Sequence, residues 1–338
     1  TSNTCASPTY SNGNKTATCT VTISSPNPGT YTANATATFN YGDSTPLVRS
    51  TSGNSGPGGS GPATKTFVTA RISIATAGTN VLGAPHTFTV TVEQNNGSGW
   101  VAAPNINVLA ASTGVGGIVA GGTCDNTGVN GTSGDTDSSG QCTIIVDSDV
   151  NTGTATVNAS ATVPVSGTVG SASVSVATNG SGAHTVSNTK TWVTADIQIQ
   201  TAGTNKVGEA HTFTVTVRKD SGAGLVAAQN VTVTPSISGA GSITGGTCVA
   251  SGATKTDSSG QCTIVVSSSS AGTATVNASA AVVIAGTAGS ATVNVATNGS
   301  GAGPTISNTK TWVDARISIG TAGTNQLGDA HTFTVTVQ

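Results

Sequence analysis

Lys190-Thr191-Trp192-Val193-Thr194-Ala195-Asp196-Ile197-Gln198-Ile199, followed by His211-Thr212-Phe213-Thr214-Val215-Thr216-Val217, is the stretch that decides the fold. Its second part alternates Thr with Phe and Val, the period of two that marks a strand with one buried face. The first part is read against its own copies, because the same string recurs from Lys65 and from Lys310. When Ala70 to Ala75, Ala195 to Gln200 and Ala315 to Gly320 are aligned, both Ile positions stay fixed while the residues between them change charge and size. Fixed and variable positions alternate here too, so both parts are strands. In the first copy Phe88, Val90 and Val92 point inward.

The three starts are 125 and 120 residues apart, the size of one domain, which makes the chain a tandem array of one module. The third copy stops early in its module, at Gln338. At the other end, Thr4 to Val21 and Gly29 to Thr36 align with the second half of a module, their counterparts being 247–264 and 272–279. The expected organisation is the C-terminal part of a module at 1–69, complete modules at 70–194 and 195–314, and the first strands of another at 315–338. A half-sandwich exposes an apolar face and a sheet edge. The chain is therefore expected to be a window on a longer polypeptide, a mature or excised piece. The competing expectation is that the strands carrying Ile317, Ile319 and Phe333 complete the half-module 1–48 of a neighbouring copy. That head-to-tail contact would propagate into a filament.

Within a module, 105–109, 142–146, 154–159 and 172–176 continue the alternation, bounded by Gly, Ser and Asn turns. Six or seven short strands per module describe an all-β protein of tandem antiparallel β-sandwiches. Almost no helix is expected, since 45 Gly and abundant Thr and Val favour turns and pleated strands. Charged residues are 7% of the chain and the net charge is −2, so no basic face is available for nucleic acid. No apolar run reaches the length of a bilayer span.

The six Cys fall as one pair per module at one repeat position: Cys5 with Cys19, Cys124 with Cys142, and Cys248 with Cys262. Such pairs read as local disulfides, worth about 3 kcal/mol each in the chain-entropy account. Zinc would need two further ligands that the surrounding sequence does not offer. Free buried thiols are the other reading. Disulfides imply an oxidising compartment, extracellular or at a cell surface.

Little in the chain points to chemistry. His86, His211 and His331 share one repeat position and His184 lies in a Gly-Ser linker; each repeat His is expected to hydrogen-bond at the mouth of a strand. The sequence contains no nucleophile elbow, zinc-protease motif or phosphate-binding loop, so neither enzymatic activity nor a cofactor is expected. Asp135, Asp137 and Ser139 begin like a calcium loop. The next module has Lys255 in place of the first carboxylate, and a plain β-turn is the better account. Phe67, Trp192 and Trp312 precede each module's first strand, either wedged into the module junction or as core aromatics at a strand end.

The order of His-Thr-Phe-Thr-Val-Thr-Val, then Thr136 to Ile144 (Thr-Asp-Ser-Ser-Gly-Gln-Cys-Thr-Ile, repeated at 256–264), then Gly-Thr-Ala-Thr-Val-Asn-Ala resembles the bacterial immunoglobulin-like repeats of the intimin and invasin type. The resemblance implies sandwiches strung into rigid stalks on outer surfaces, with the Thr-Asp-x-x-Gly turn joining two strands. The chain departs from that pattern in its extended junction, 176–192. Two functions follow as expectations. One is a structural segment of a surface fibre, filament or stalk, whose partners are neighbouring modules of the same or an identical chain. The other is an adhesin or glycan-binding segment meeting a surface glycan or a host or cell receptor through loops such as 95–100 or 114–122. Trp100 is replaced by Leu225 in the next copy, so no contact platform recurs along the array.

Overall fold

Residues 2–13, 15–40, 42, 45–75, 77–124, 135–180, 188–199, 202–249, 255–299 and 308–338 are described by a computed structural model. Every regular element among them is a β-strand. The first complete sandwich contains β1 (Thr69–Ile74), β2 (Gly78–Val81), β3 (His86–Asn95), β4 (Val108–Gly114), β5 (Gly117–Val119), β6 (Gln141–Asp147), β7 (Gly153–Ser166), β8 (Ser171–Ala177) and the first half of β9 (Asn188–Ile199). One sheet has the order β1-β3-β6-β5, with Ile74 opposite Val90 and Val90 opposite Cys142. The other places β7 between β4 and β9, with β8 folded back along the far end of β7.

Period two sets the packing. Phe88, Val90 and Val92 of β3 are all 0% exposed, while the Thr residues between them lie at the surface or half-buried. The 14-residue β7 buries Ala155, Val157, Ala159, Ala161, Val163 and Val165 in strict alternation. The second sandwich repeats the plan with the second half of β9, then β10 (Gly203–Lys206), β11 (His211–Asp220), β12 (Val233–Gly239), β13 (Ser242–Gly245), β14 (Gln261–Ser267), β15 (Gly272–Ala285), β16 (Ser290–Ala296) and β17 (Asn308–Val313). Its core holds Phe213, Val215, Val217, Ile264, Val276 and Val282 at 0% exposure.

The sheets are antiparallel as expected, and each sandwich adds one parallel pairing. After Ile74 the chain leaves its first sheet and crosses the sandwich. There β2 lies parallel to β9, Gly78 opposite Lys190 and Val81 opposite Val193. β10 pairs with β17 in the same parallel register, Gly203 opposite Lys310. The cause is topological: a first strand split between two sheets meets the module's last strand running in its own direction.

Before the first sandwich, 29–33 pairs with 63–67, Gly29 opposite Phe67. This is the register in which Gly153 faces Trp192 and Gly272 faces Trp312. No described residue before Ala70 is fully buried.

Candidate functional site: the module junction

Between the two sandwiches there is no linker. β9 is one 12-residue strand whose first half pairs with β7 and whose second half pairs with β11, Thr194 opposite Asp220. The two cores divide between adjacent residues of it. Trp192 closes the first core and Val193 opens the second, both at 0% exposure. The Trp192 indole Nε1 donates to the Ala84 carbonyl at 3.1 Å, and Trp312 repeats the bond to Glu209 at 3.1 Å, so each tryptophan is a satisfied core residue of the preceding sandwich. Phe67 is half-buried, edge-on to Tyr31 with ring centroids 5.6 Å apart. Val81 of the first sandwich packs against the second core.

A hairpin tip reaches back across the junction. The β15–β16 turn, closed by Gly286 N–H on the Gly289 carbonyl at 3.0 Å, lies against Thr79, Thr189 and Thr191 of the preceding module. Thr79 Oγ1 donates to the Ala288 carbonyl at 2.7 Å. The Thr287 hydroxyl lies 2.8 Å from that of Thr191 and 3.1 Å from that of Thr189, and the Thr287 N–H donates to Thr191 Oγ1 at 3.2 Å. The preceding junction is built alike: the β7–β8 turn places the Thr168 hydroxyl 2.8 Å from that of Thr66. Close approach demands glycine at both tips. A Cβ on Gly286 would sit 2.2 Å from Thr79 Oγ1, and one on Gly167 would sit 2.9 Å from Thr66 Cβ.

A second glycine contact flanks the first. A Cβ on Gly222 would lie 2.6 Å from the Gly153 Cα, and one on Gly97 would lie 2.4 Å from the Gly29 Cα. Asp220 organises the Gly222 loop, one carboxylate oxygen accepting from the N–H groups of Gly222 (2.7 Å) and Gly224 (3.0 Å) and the other from the Thr152 hydroxyl at 2.7 Å. Burial works against its charge, but the N–H groups of Gly222, Gly224 and Ala223 and the Thr152 hydroxyl together hold the carboxyl below its ordinary value.

The other residues singled out by sequence lie away from this junction. Cys5–Cys19, Cys124–Cys142 and Cys248–Cys262 are bonded, the last two buried within the sandwiches. Asp137 Oδ1 accepts from the Ser139 and Gln141 N–H groups at 2.8 and 2.9 Å, while Asp135 Oδ2 accepts from Val108 N–H at 2.8 Å. Asp257 makes the same turn bonds at 2.8 and 2.9 Å beside Lys255. No cluster of three potential metal ligands occurs among the described residues. Ile317, Ile319 and Phe333 are 71%, 64% and 52% exposed, and among the described residues the strand Ile317–Ile319 pairs with Val335–Val337 alone. Of the loop 114–122, residues 117–119 are a strand paired to β6. His184 lies outside the described residues.

One cluster was missed by reading the sequence. Lys190 is 1% exposed and Lys310 is fully buried. Lys190 Nζ donates to Asn80 Oδ1 at 2.5 Å and lies 3.3 Å from His86 Nδ1. Lys310 Nζ donates to Asn205 Oδ1 at 2.6 Å. Burial lowers Lys190 to about 8 and also lowers Lys310, with the Glu209 charge opposing in the second case. His86 is lowered by burial and then by the Lys190 charge, and His211 by burial and Lys310. The signal was present: a lysine opens every copy of the repeat in a chain with only 11 Lys and Arg.

No family model matches the chain, and no curated protein matches it. Among solved structures it is similar to the D0-D1 domain of intimin, with 20% identity over 72% of this chain and 97% of that one, at a TM-score of 0.21. It is similar to the D00-D0 domain of intimin at 17% identity, 72% and 100% coverage and a TM-score of 0.33. It is also similar to invasin, described as a bacterial integrin-binding protein, at 13% identity, 90% and 60% coverage and a TM-score of 0.36.

Proposed function

We propose that this chain is a stalk segment of a bacterial cell-surface or extracellular protein, a rigid spacer of head-to-tail immunoglobulin-like modules. The observation that carries the reading is β9, which belongs to two sandwiches at once and leaves no hinge between them. A threonine-lined hairpin tip braces the same junction, and it recurs one module earlier. The module disulfides suit an oxidising exterior. On this reading the segment turns over no substrate; its partners are adjacent modules, of its own chain or of an identical one.

A second reading rests on Trp100, which is 37% exposed beneath the Arg71 guanidinium at 4.3 Å from the ring centroid. That pair could stack against a glycan or a receptor surface, and Leu225 replaces the tryptophan in the next module. Small-angle scattering separates the stalk from a flexible chain. The full chain should give a rod-like profile, and four Gly-Ser residues inserted between Trp192 and Val193 should shorten its maximum dimension and broaden the distribution. Indistinguishable profiles would overturn the stalk reading.

A further inference from the structure

We propose that Lys190 and Asn80, and in the next module Lys310 and Asn205, condense into intramolecular isopeptide bonds that join the first-entered half of each sandwich to its last strand. The geometry is that of an amine held against a carboxamide in a built pocket. Lys190 Nζ contacts Asn80 Oδ1 at 2.5 Å, so the carboxamide carbon is one covalent bond beyond the atom already touched. The carboxamide is fixed from its other end, because Asn80 Nδ2 donates to the Ala84 and Pro85 carbonyls at 3.2 and 3.0 Å. Asn205 Nδ2 likewise donates to the Ala210 carbonyl at 3.0 Å. The parallel pairing of β2 with β9 sets Gly78 opposite Lys190 and Asn80 opposite Trp192, so the carboxamide stands two residues along from the lysine and the long lysine side chain spans the offset. Gly78 and Gly203 make room for the amines: a Cβ at either would lie 3.2 Å from the lysine Nζ.

The surroundings favour a nucleophilic amine. No carboxylate oxygen lies within 4 Å of either Nζ among the described residues, and Lys190, lowered by burial to about 8, carries a usable fraction of free base, with burial lowering Lys310 in the same direction. In the step, the Nζ lone pair attacks Asn80 Cγ and a new N–C bond forms. The proton lost from Nζ passes to His86 Nδ1, 3.3 Å away. His86 then delivers it to Nδ2, the old C–N bond breaks and ammonia leaves. One amine and one primary amide become one secondary amide and ammonia, with no oxidant or reductant. His211 stands in the same place in the second module, its Cε1 3.3 Å from a Cβ built on Gly203 against 3.5 Å for His86 and Gly78. Asn325 and His331 repeat the acceptor side without a lysine beside them among the described residues, and Lys65 is exposed.

The consequence is mechanical, and that part rests on the stalk reading; the chemistry does not. Asn80 and Lys190 are 110 residues apart, and β9 runs directly on into the next module. A bond between them would carry load past nearly the whole first sandwich.

The test is mass spectrometry of the full chain after reduction of the disulfides. Each bond removes about 17 Da, the mass of ammonia, so two bonds remove about 34 Da. Succinimides at Asn-Gly pairs such as Asn96-Gly97 lose the same mass, so peptide mapping is decisive. The expected product is a branched peptide joining the Asn80 segment to the Lys190 segment, uncleaved by trypsin at Lys190, with its twin at Asn205 and Lys310. Lys190→Met and Asn80→Ala should each abolish the first branched peptide and leave the second. His86→Phe should slow its appearance at least tenfold. Recovery of free Lys190 and Asn80 from the wild-type chain overturns the first bond, and free Lys310 and Asn205 overturns the second. The wild-type measurement does not depend on any variant folding.

Discussion

Substituting Gly286 by alanine isolates the junction from the sandwiches it joins. Its backbone lies outside the left-handed region, so alanine adds a methyl group without backbone strain. That methyl would sit 2.2 Å from Thr79 Oγ1 and 2.8 Å from Thr191 Cβ, and both neighbours are anchored on paired strands. The hairpin tip must therefore lift. Lifting it loses Thr79 on the Ala288 carbonyl, the Thr287 hydroxyl contacts with Thr191 and Thr189, and the Thr287 N–H on Thr191. A net hydrogen bond contributes about 0.5–1.5 kcal/mol, and these groups are partly solvated, so the coupling lost is about 2 kcal/mol rather than the full sum. In a linear array this coupling is the nearest-neighbour interface free energy, which makes adjacent modules melt together. Calorimetry of the wild-type chain should show the two sandwiches unfolding in overlapping transitions; Gly286→Ala should separate them and lower the upper one. Gly245→Ala is the control, since a Cβ there meets nothing within 4 Å. Superimposable traces for wild type and Gly286→Ala would falsify the claim that the hairpin tip couples the modules.

Other perturbations address single features. Replacing Cys248 and Cys262 by alanine opens a loop of sequence separation 14 and should cost the second sandwich about 3 kcal/mol in denaturant titration, while the first keeps its midpoint. Thr256→Val, isosteric and 2% exposed, removes a hydroxyl that donates to the Ala228 carbonyl and accepts from Val231 N–H at 3.0 Å; a loss of about 2–4 kcal/mol is expected, and Thr136→Val should match it in the first sandwich. A change of less than 0.5 kcal/mol in either would refute that account. Asp220 has a folded pKa below its unfolded value, so its contribution is complete above the ordinary carboxylate value and is lost as pH falls through the lower folded one. The melting difference between wild type and Asp220→Asn should therefore be full at neutral pH and vanish in strong acid; a difference that grows on acidification would reverse the assignment.

The strands were legible because one face of each is buried. Phe88, Val90 and Val92 alternate with Thr, and their copies Phe213, Val215 and Val217 share the same 0% exposure. The disulfides were legible from repeat register alone. Gly78 to Val81 was not, since a short run of Gly-Thr-Asn-Val carries no alternation and its parallel partner is about 110 residues away. Lys190 was hidden by its charge, which reads as solvated. Yet it stands two residues from Trp192 on one strand and therefore on the same face, so a core tryptophan implies a core lysine. The ion pairs show what the internal comparison does detect. Arg71 faces Glu93 in one module and Asp196 faces Arg218 in the next, the same cross-strand pair with its polarity reversed. The variable position was thus a correlated one, worth about 0.2–1 kcal/mol at such exposure.

The placement of the crosslinks and of the hydrogen bonds together fixes where a stretched module would resist. The Cys248–Cys262 disulfide closes a short local loop and joins neither the incoming nor the outgoing strand, so it limits how far the chain extends without setting when it opens. Load enters the first sandwich through β1 and β2 and leaves through β9. Between those points stand the parallel β2–β9 register, Leu82 N–H on the Val193 carbonyl at 2.9 Å, and Lys190 on Asn80. Pulling along parallel strands shears their hydrogen bonds together rather than one after another, and a covalent bond in parallel with them removes the yield point altogether. In the native chain a force trace should then lack the extension of the residues between Asn80 and Lys190, and Lys190→Met should restore it. If both chains give equal extension per module, the load does not pass through this pair.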